Sequence, residues 1–341
     1  MEFFVIGSYM NANFMGVPRL PVERESLAAT SVWTEHGGKG LNLGVGLHRL
    51  GALVDMLLAV GNDAAGNAVH DRLQREGMRT HGVVRLGERS GYGVGFVGPK
   101  GENFLAAFSG ANALLTPAHV EEAMARLPHL DWVCAQFEAP DAPIMKAFEL
   151  AKQRGLRTYL NPSPWHMPAQ ILLASTDVPV VNATEAAALF DTPSAETWGT
   201  DRWMADLPAL AERLGWNGEL LVVTLGAMGA LALSESANVT YQPAWVINQV
   251  DATGAGDAFG CGLLWALSQN LPLQQTLQIA NACGAMVAAA SGVLDALPNR
   301  QQLDAFLSQR KVVCEQPAEK RDQGMQRKTE TGEKAQFTPS K

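Results

Sequence analysis

The chain has 341 residues, 47% of them hydrophobic and 18% charged, enough apolar material for one large α/β domain or two average ones. Its net charge of -8 argues against a broad basic surface for nucleic acid. No run reaches the ~18 apolar residues of a membrane helix, and the apolar opening MEFFVIGSYM lacks the basic start of a signal peptide.

In chain order, short apolar runs that read as buried strands alternate with helical stretches. The strand candidates are FFVIG near the start, LVDMLLAVG from Leu53, LDWVCAQ from Leu130, RTYLNP from Arg157, VPVVNAT from Val178 and LLVVTLG from Leu220. Helical periodicity falls at residues 41–50, 66–76, 117–127, 143–154, 185–190 and 207–214. This alternation predicts a mostly parallel central sheet flanked by helices, with ligands at the carboxyl ends of the strands. Residues 12–36 carry turn signals without helical period. Residues 91–108, GYGVGFVGPKGENFLAAF, read as a hairpin around Pro99–Gly101. Together these two segments predict a small β lid on a domain spanning residues 1–310. Residues 311–341 are charged and poor in apolar side chains, the composition of a disordered tail. The four cysteines stand far apart with no Cys-x-x-Cys pair, so they predict neither a zinc site nor a disulfide framework. A reduced, cytoplasmic protein is expected.

Two glycine-rich strings carry the chemistry. In DATGAGDAFGCGLLWAL (251–267), a strand-like approach, WVINQV, enters a turn that opens a long apolar helix. Gly254, Ala255 and Gly256 let backbone N–H groups approach an anion at a positively polarised helix start. Asp257 then stands in the first turn, where a carboxylate can take a proton from an attacking hydroxyl. A first-turn Asp that only complements the helix dipole is the plainer alternative. In GGKGLNLGVGLHRLGA (37–52) the glycines permit close backbone approach, and Lys39 and Asn42 supply donors. Lys39 is followed by Gly40, so the string is not a Walker loop.

With GGKGxN and D-x-x-GAGD in this order, the chain resembles the ribokinase-type members of the pfkB carbohydrate-kinase family. SGANALLTP (109–117), AQFEAP (135–140), LNPSP (160–164), NATEA (182–186) and VTLGAMGA (223–230) add to the likeness, which runs from about residue 3 to residue 307. The resemblance implies an ATP-dependent kinase acting on the primary hydroxyl of ribose or a related pentose; another carbohydrate or a nucleoside is the alternative acceptor. A non-catalytic sugar-binding regulator is a third reading, against which the intact GAGD speaks. In this scheme Asp257 is the base and residues 254–256 the anion hole. The sugar would be held by Asn11, Asn13, Gly38, Lys39, Asn42 and Glu138. Asn182 and Glu185, which equally read as a capping-box pair, would organise Mg²⁺ through water. Thr224, Gly226, Gly229 and Asn281 would line the ATP site. A potassium site would use Asp251 and Thr253 with carbonyls of Val287, Ala290 and Gly292. Two departures stand out: Asn13 where the family has an aspartate, and Ala296 where it offers a serine. Pairing of two copies through the lid is also implied.

Overall fold

The computed structural model describes residues 1–99 and 103–314. The chain opens with β1 (Glu2–Gly7), then enters the small sheet with β2 (Met10–Gly16) and β3 (Ser31–Gly37). It returns through α1 (Lys39–Arg49), β4 (Leu53–Val60), α2 (Ala64–Arg75) and β5 (Val83–Arg85). A second excursion makes β6 (Gly91–Val97) and β7 (Asn103–Phe108). Strand and helix then alternate: α3 (Pro117–Ala125), β8 (Trp132–Gln136), α4 (Asp141–Gln153), β9 (Arg157–Asn161), α5 (Gln170–Ala174), β10 (Val178–Asn182), α6 (Ala183–Leu189), α7 (Thr200–Leu214) and β11 (Leu220–Thr224). The last elements are β12 (Ala230–Ser234), β13 (Val239–Gln242), α8 (Ala255–Ser268), α9 (Leu273–Ala288) and α10 (Arg300–Cys314).

Nine strands form the central sheet in the order β13-β12-β11-β10-β9-β8-β1-β4-β5. The seven strands from β11 to β5 run parallel, and β12 and β13 add an antiparallel edge. Side-chain alternation feeds a core on each face. Phe3, Val5, Trp132 and Cys134 pack beneath α1, α8 and α9, whereas Phe4, Ile6, Val133 and Ala135 pack under α3 and α4. This two-sided burial explains why the strands read as continuous apolar runs rather than alternating ones. The helix α8 is buried almost all round, between α1 and α9. It lies so close to α1 that a Cβ on Gly46 would come within 2.3 Å of the Cys261 sulfur. That approach lets the first turns of the two helices share one site.

The second sheet has the order β3-β2-β6-β7 and forms the lid expected from residues 12–36 and 91–108. Lys100, Gly101 and Glu102, in the expected hairpin turn, lie outside the described residues. Its entry is pinned by buried Asn112, whose amide bonds both the N–H and the C=O of Tyr9, at 3.0 and 2.8 Å. Asn112 thereby fixes the phase in which β2 begins.

Three expectations need correction. WVINQV is not a strand: the sheet edge ends at Gln242, because Pro243 cannot donate to a ladder. The segment crosses α9 instead, held by Trp245 Nε1 on the Gln278 carbonyl at 3.1 Å. The helix expected at 207–214 starts at Thr200 and runs through Pro208. Finally, α10 extends to Cys314, so residues 311–314 belong to a helix, and only 315–341 of the expected tail lie outside the described residues. Among the described residues no helix is long and apolar enough to cross a membrane.

Candidate active site

A cavity of about 360 Å³ opens between the lid and the carboxyl end of the main sheet. Its inner wall comes from both glycine-rich strings. Asp257, in the first turn of α8, is buried and receives a hydrogen bond from Asn42 Nδ2 on Oδ2 at 2.8 Å. Lys39 Nζ approaches the other oxygen at 3.4 Å. The backbone N–H of Lys39 donates to Glu138 Oε2 at 2.7 Å, and the Ser8 hydroxyl donates to the same oxygen. Thus Gly38, Lys39, Asn42, Glu138 and Asp257, far apart in sequence, line one wall together. Asp257 opposite it holds the Lys39 ammonium above its ordinary pKa range, against the opposing effect of burial, and Glu138 and Glu185 add to the rise.

The start of α8 has the open geometry that the expected anion hole requires. Gly254 takes the left-handed conformation (φ +75°), and the N–H of Ala255 bonds back to the Ala252 carbonyl at 3.1 Å. Ala255 is therefore not a free donor, which narrows the expected anion hole. The N–H groups of Gly256 and Asp257 sit in the first turn, where a helix offers no internal acceptors. A Cβ on Gly256 would meet nothing within 4 Å, and its φ is not positive. Neither packing nor backbone strain requires this glycine; the space before the helix end is left clear.

The expected nucleotide residues cluster at the carboxyl ends of β10 and β11, where Asn182 and Thr224 are paired neighbours. Asn182 and Glu185 do form a capping box: Asn182 Oδ1 accepts from the Glu185 N–H at 2.8 Å, and Glu185 Oε2 accepts from the Asn182 N–H at 2.9 Å. Glu185 is buried and near enough to Lys39 to raise its pKa. Gly226 and Gly229 both have positive φ, and a Cβ on Gly229 would strike the Gln242 carbonyl at 2.1 Å. Asn281 spends its amide on the carbonyls of Gln242 and Pro243, at 3.0 and 3.1 Å. Its visible work is to hold that segment on α9.

Asp251 accepts from the N–H and hydroxyl of Thr253 at 2.9 and 2.7 Å. The N–H groups of Val250 and Asp251 both bond the Ala288 carbonyl, which brings this turn against residues 287–290. The Val287 carbonyl accepts from the Ala290 N–H, and Gly292 has φ +78°. Ala296 packs on the main core.

Asn11 and Asn13 are not brought to the cavity. Alternation along β2 turns Met10, Ala12 and Phe14 inward and the two asparagines to the outer face. There Thr34 Oγ1 donates to Asn13 Oδ1 at 2.8 Å, and Asn13 Nδ2 donates to the Asn11 carbonyl at 3.0 Å. The sequence reading is thus out of phase by one residue on β2. It also missed Glu35 and Val293, which line the cavity. The alternation itself was available, but its phase depends on how the chain enters β2 from Tyr9, which Asn112 fixes.

The sequence matches the description "pfkB family carbohydrate kinase" over residues 2–300. The chain belongs to the pfkB carbohydrate-kinase family. Within that family it is 27% identical over 304 residues to the ribokinase of Haemophilus influenzae, covering 89% of this chain and 97% of the relative. The deoxyribokinase of Salmonella typhimurium is 30% identical over 311 residues, covering 90% and 99%. Among solved structures, the ribokinase of Giardia lamblia superposes with a TM-score of 0.80 at 22% identity, over 91% of this chain and 99% of that one. The pfkB chain is therefore a phosphotransferase with an alcohol group as acceptor, a sugar kinase that uses ATP.

Proposed function

We propose that the protein transfers the γ-phosphoryl group of ATP to the primary hydroxyl of a pentose, ribose or a related one. The observation that carries this reading is Asp257: a carboxylate held by Asn42 and Lys39 at a helix start whose glycine leaves room for a phosphate. Asn42 fixes Oδ2, so the more loosely held Oδ1 is the oxygen that accepts the hydroxyl proton. The acceptor oxygen then bonds to the γ-phosphorus as the bond to the ADP oxygen breaks. The N–H groups of Gly256 and Asp257 meet the negative charge that gathers on the phosphoryl oxygens. Lys39, kept charged, balances the carboxylate and the incoming phosphate.

ATP would lie along the ends of β10 and β11, beside Asn182, Thr224, Gly226 and Gly229. Magnesium needs few protein ligands when it arrives on phosphates. Glu185, with one oxygen in the capping box, is a fitting anchor for its water shell; the ion would supply charge neutralisation. Potassium would sit by Asp251, Thr253 and the carbonyls of Val287, Ala290 and Gly292, ordering the turn before α8. The buried, free thiols of Cys134, Cys261 and Cys283 suit a cytoplasmic enzyme.

A homodimer through the lid is part of the same proposal. The outer face exposes Val32, Tyr92, Phe104 and Phe108, at 72, 44, 61 and 59%. Apolar area of that kind marks an interface. Asn11 and Asn13 then serve the pair rather than the sugar.

An ADP-release assay with ATP, Mg²⁺ and panels of pentoses, hexoses and nucleosides tests the reading. Turnover of a pentose-based acceptor is expected; turnover of hexoses alone would overturn it.

A further inference from the structure

The lid wall of the cavity differs from the inner wall in that almost nothing on it can bond a sugar hydroxyl. Register places three cross-strand rows on its inner face. The first joins Gly37, Met10 and Gly91; the second Glu35, Ala12, Gly93 and Ala107; the third Trp33, Phe14, Gly95 and Leu105. The glycines of β6 report what covers each row. A Cβ on Gly91 would run into the Tyr9 carbonyl at 2.3 Å, the Asn112 amide nitrogen at 2.4 Å and the Met10 sulfur at 2.7 Å, so these groups close the first row. A Cβ on Gly95 would strike Phe14 at 2.5 Å and Leu105 at 2.7 Å, so those side chains cover the third. Above Gly93 the nearest atoms are those of Ala12, at 3.7 and 3.9 Å. The middle row is an uncovered trough floored by backbone and methyl groups, with Met10 on one side and Phe14 with Leu105 on the other.

One charged group ends the trough. The Glu35 carboxylate lies against Gly292, where an added Cβ would sit 3.3 Å from it, and accepts from Trp33 Nε1 at 3.1 Å. A flat, apolar strip with a carboxylate at its end suits a planar ring that carries an N–H donor. It does not suit a free pentose, whose hydroxyls on that side would be buried without partners.

We infer that the acceptor is a nucleoside: a pentose whose primary hydroxyl meets Asp257 and whose heterocycle lies in the Ala12–Gly93–Ala107 trough, donating an N–H to Glu35. This rests on the pentose reading above and narrows it. The inner wall holds the pentose; the lid chooses what is attached to it.

The test uses the full chain with ATP and Mg²⁺, comparing free ribose, 2-deoxyribose and purine and pyrimidine ribonucleosides. The expected result is a kcat/KM for at least one nucleoside that exceeds both free pentoses by tenfold or more. A free pentose used as well as or better than every nucleoside overturns the inference and leaves the pentose reading standing. Turnover of neither class removes both. Gly93→Val, whose Cβ has room and whose residue type favours a strand, fills the trough. It should lower kcat/KM on the nucleoside at least tenfold more than on free ribose, with an unchanged thermal melting point. Equal losses on both acceptors would place the ring elsewhere.

Discussion

On the inner wall of the cavity both carboxylates are held, Asp257 by Asn42 and Lys39, Glu138 by Ser8 and a backbone N–H, and Asn42 Oδ1 is buried with no hydrogen-bond partner among the described residues. The lid wall facing it holds mostly methyl groups, a thioether and an aromatic ring, with Glu35 as its charged member and His36 at its border, whose Nδ1 is paired with the Tyr9 hydroxyl at 3.0 Å. The inner wall grows from helix starts and strand ends of a buried sheet, where preorganised donors and charges can act on a transferring group. The lid is a thin sheet whose inner residues are set by a period of two, and in the proposed scheme they touch the acceptor rather than the transferring group. On that scheme reaction type and acceptor choice are carried by separate parts of the molecule, and substitutions on the two walls should separate them.

The largest effect is expected at Asp257. Asp257→Asn should lower kcat by about 10²–10⁴-fold, as loss of a positioned base does, while ATP affinity measured by calorimetry persists. Turnover within threefold of wild type would leave the inner wall without its base. Gly256→Val follows. Its side chain enters open space, so the fold should survive, but the space before α8 closes. A fall of about 10²–10³-fold in kcat, the scale set by loss of an anion-stabilising donor, is expected, with weakened ATP binding. Unchanged nucleotide affinity in a folded variant would reject the anion site.

The lid gives a sharper pair. Ala12→Asp puts a carboxylate into the trough and should shift acceptor KM by tenfold or more, raising it for a ring-bearing acceptor and lowering it for free ribose. Asn13→Asp, one residue along, faces outward and should change KM by less than about twofold, as surface substitutions away from a site do. Equal responses at the two positions would contradict the assigned phase of β2.

This pair also shows what the sequence could and could not reveal. The glycine strings around Lys39 and Asp257 were legible because a helix start is a local object: turn, donors and carboxylate lie within a few residues. The parallel sheet was legible from the apolar runs at β1, β4, β8 and β11. The phase of β2 was not, because a slip of one residue exchanges its two faces. Resemblance favoured Asn13, whereas the phase depends on Asn112 clamping Tyr9 from a hundred residues away. The path of WVINQV was hidden for the same reason: its partners lie on α9, reached only after folding.

The smallest effect concerns pH. Lys39 has a folded-state pKa raised above its unfolded value, chiefly by Asp257. Its pairing therefore stabilises fully below the unfolded value of about 10.4 and fades only as pH rises through the still higher folded one. The melting difference between wild type and Lys39→Met should stay flat from pH 6 to 9. A difference that shrinks within that window would mean that Lys39 loses its proton early and is not held by Asp257.

The most direct test is phosphorus NMR of the products formed from ATP, Mg²⁺ and the best pentose-based acceptor. Transfer to the primary hydroxyl, with Asp257 as base, should consume ATP and yield ADP and one phosphomonoester in equal amounts. Its resonance should be split by the two protons on the carbon that bears the oxygen. Inorganic phosphate without the ester, or an ester on a carbon that carries a single proton, would contradict the account.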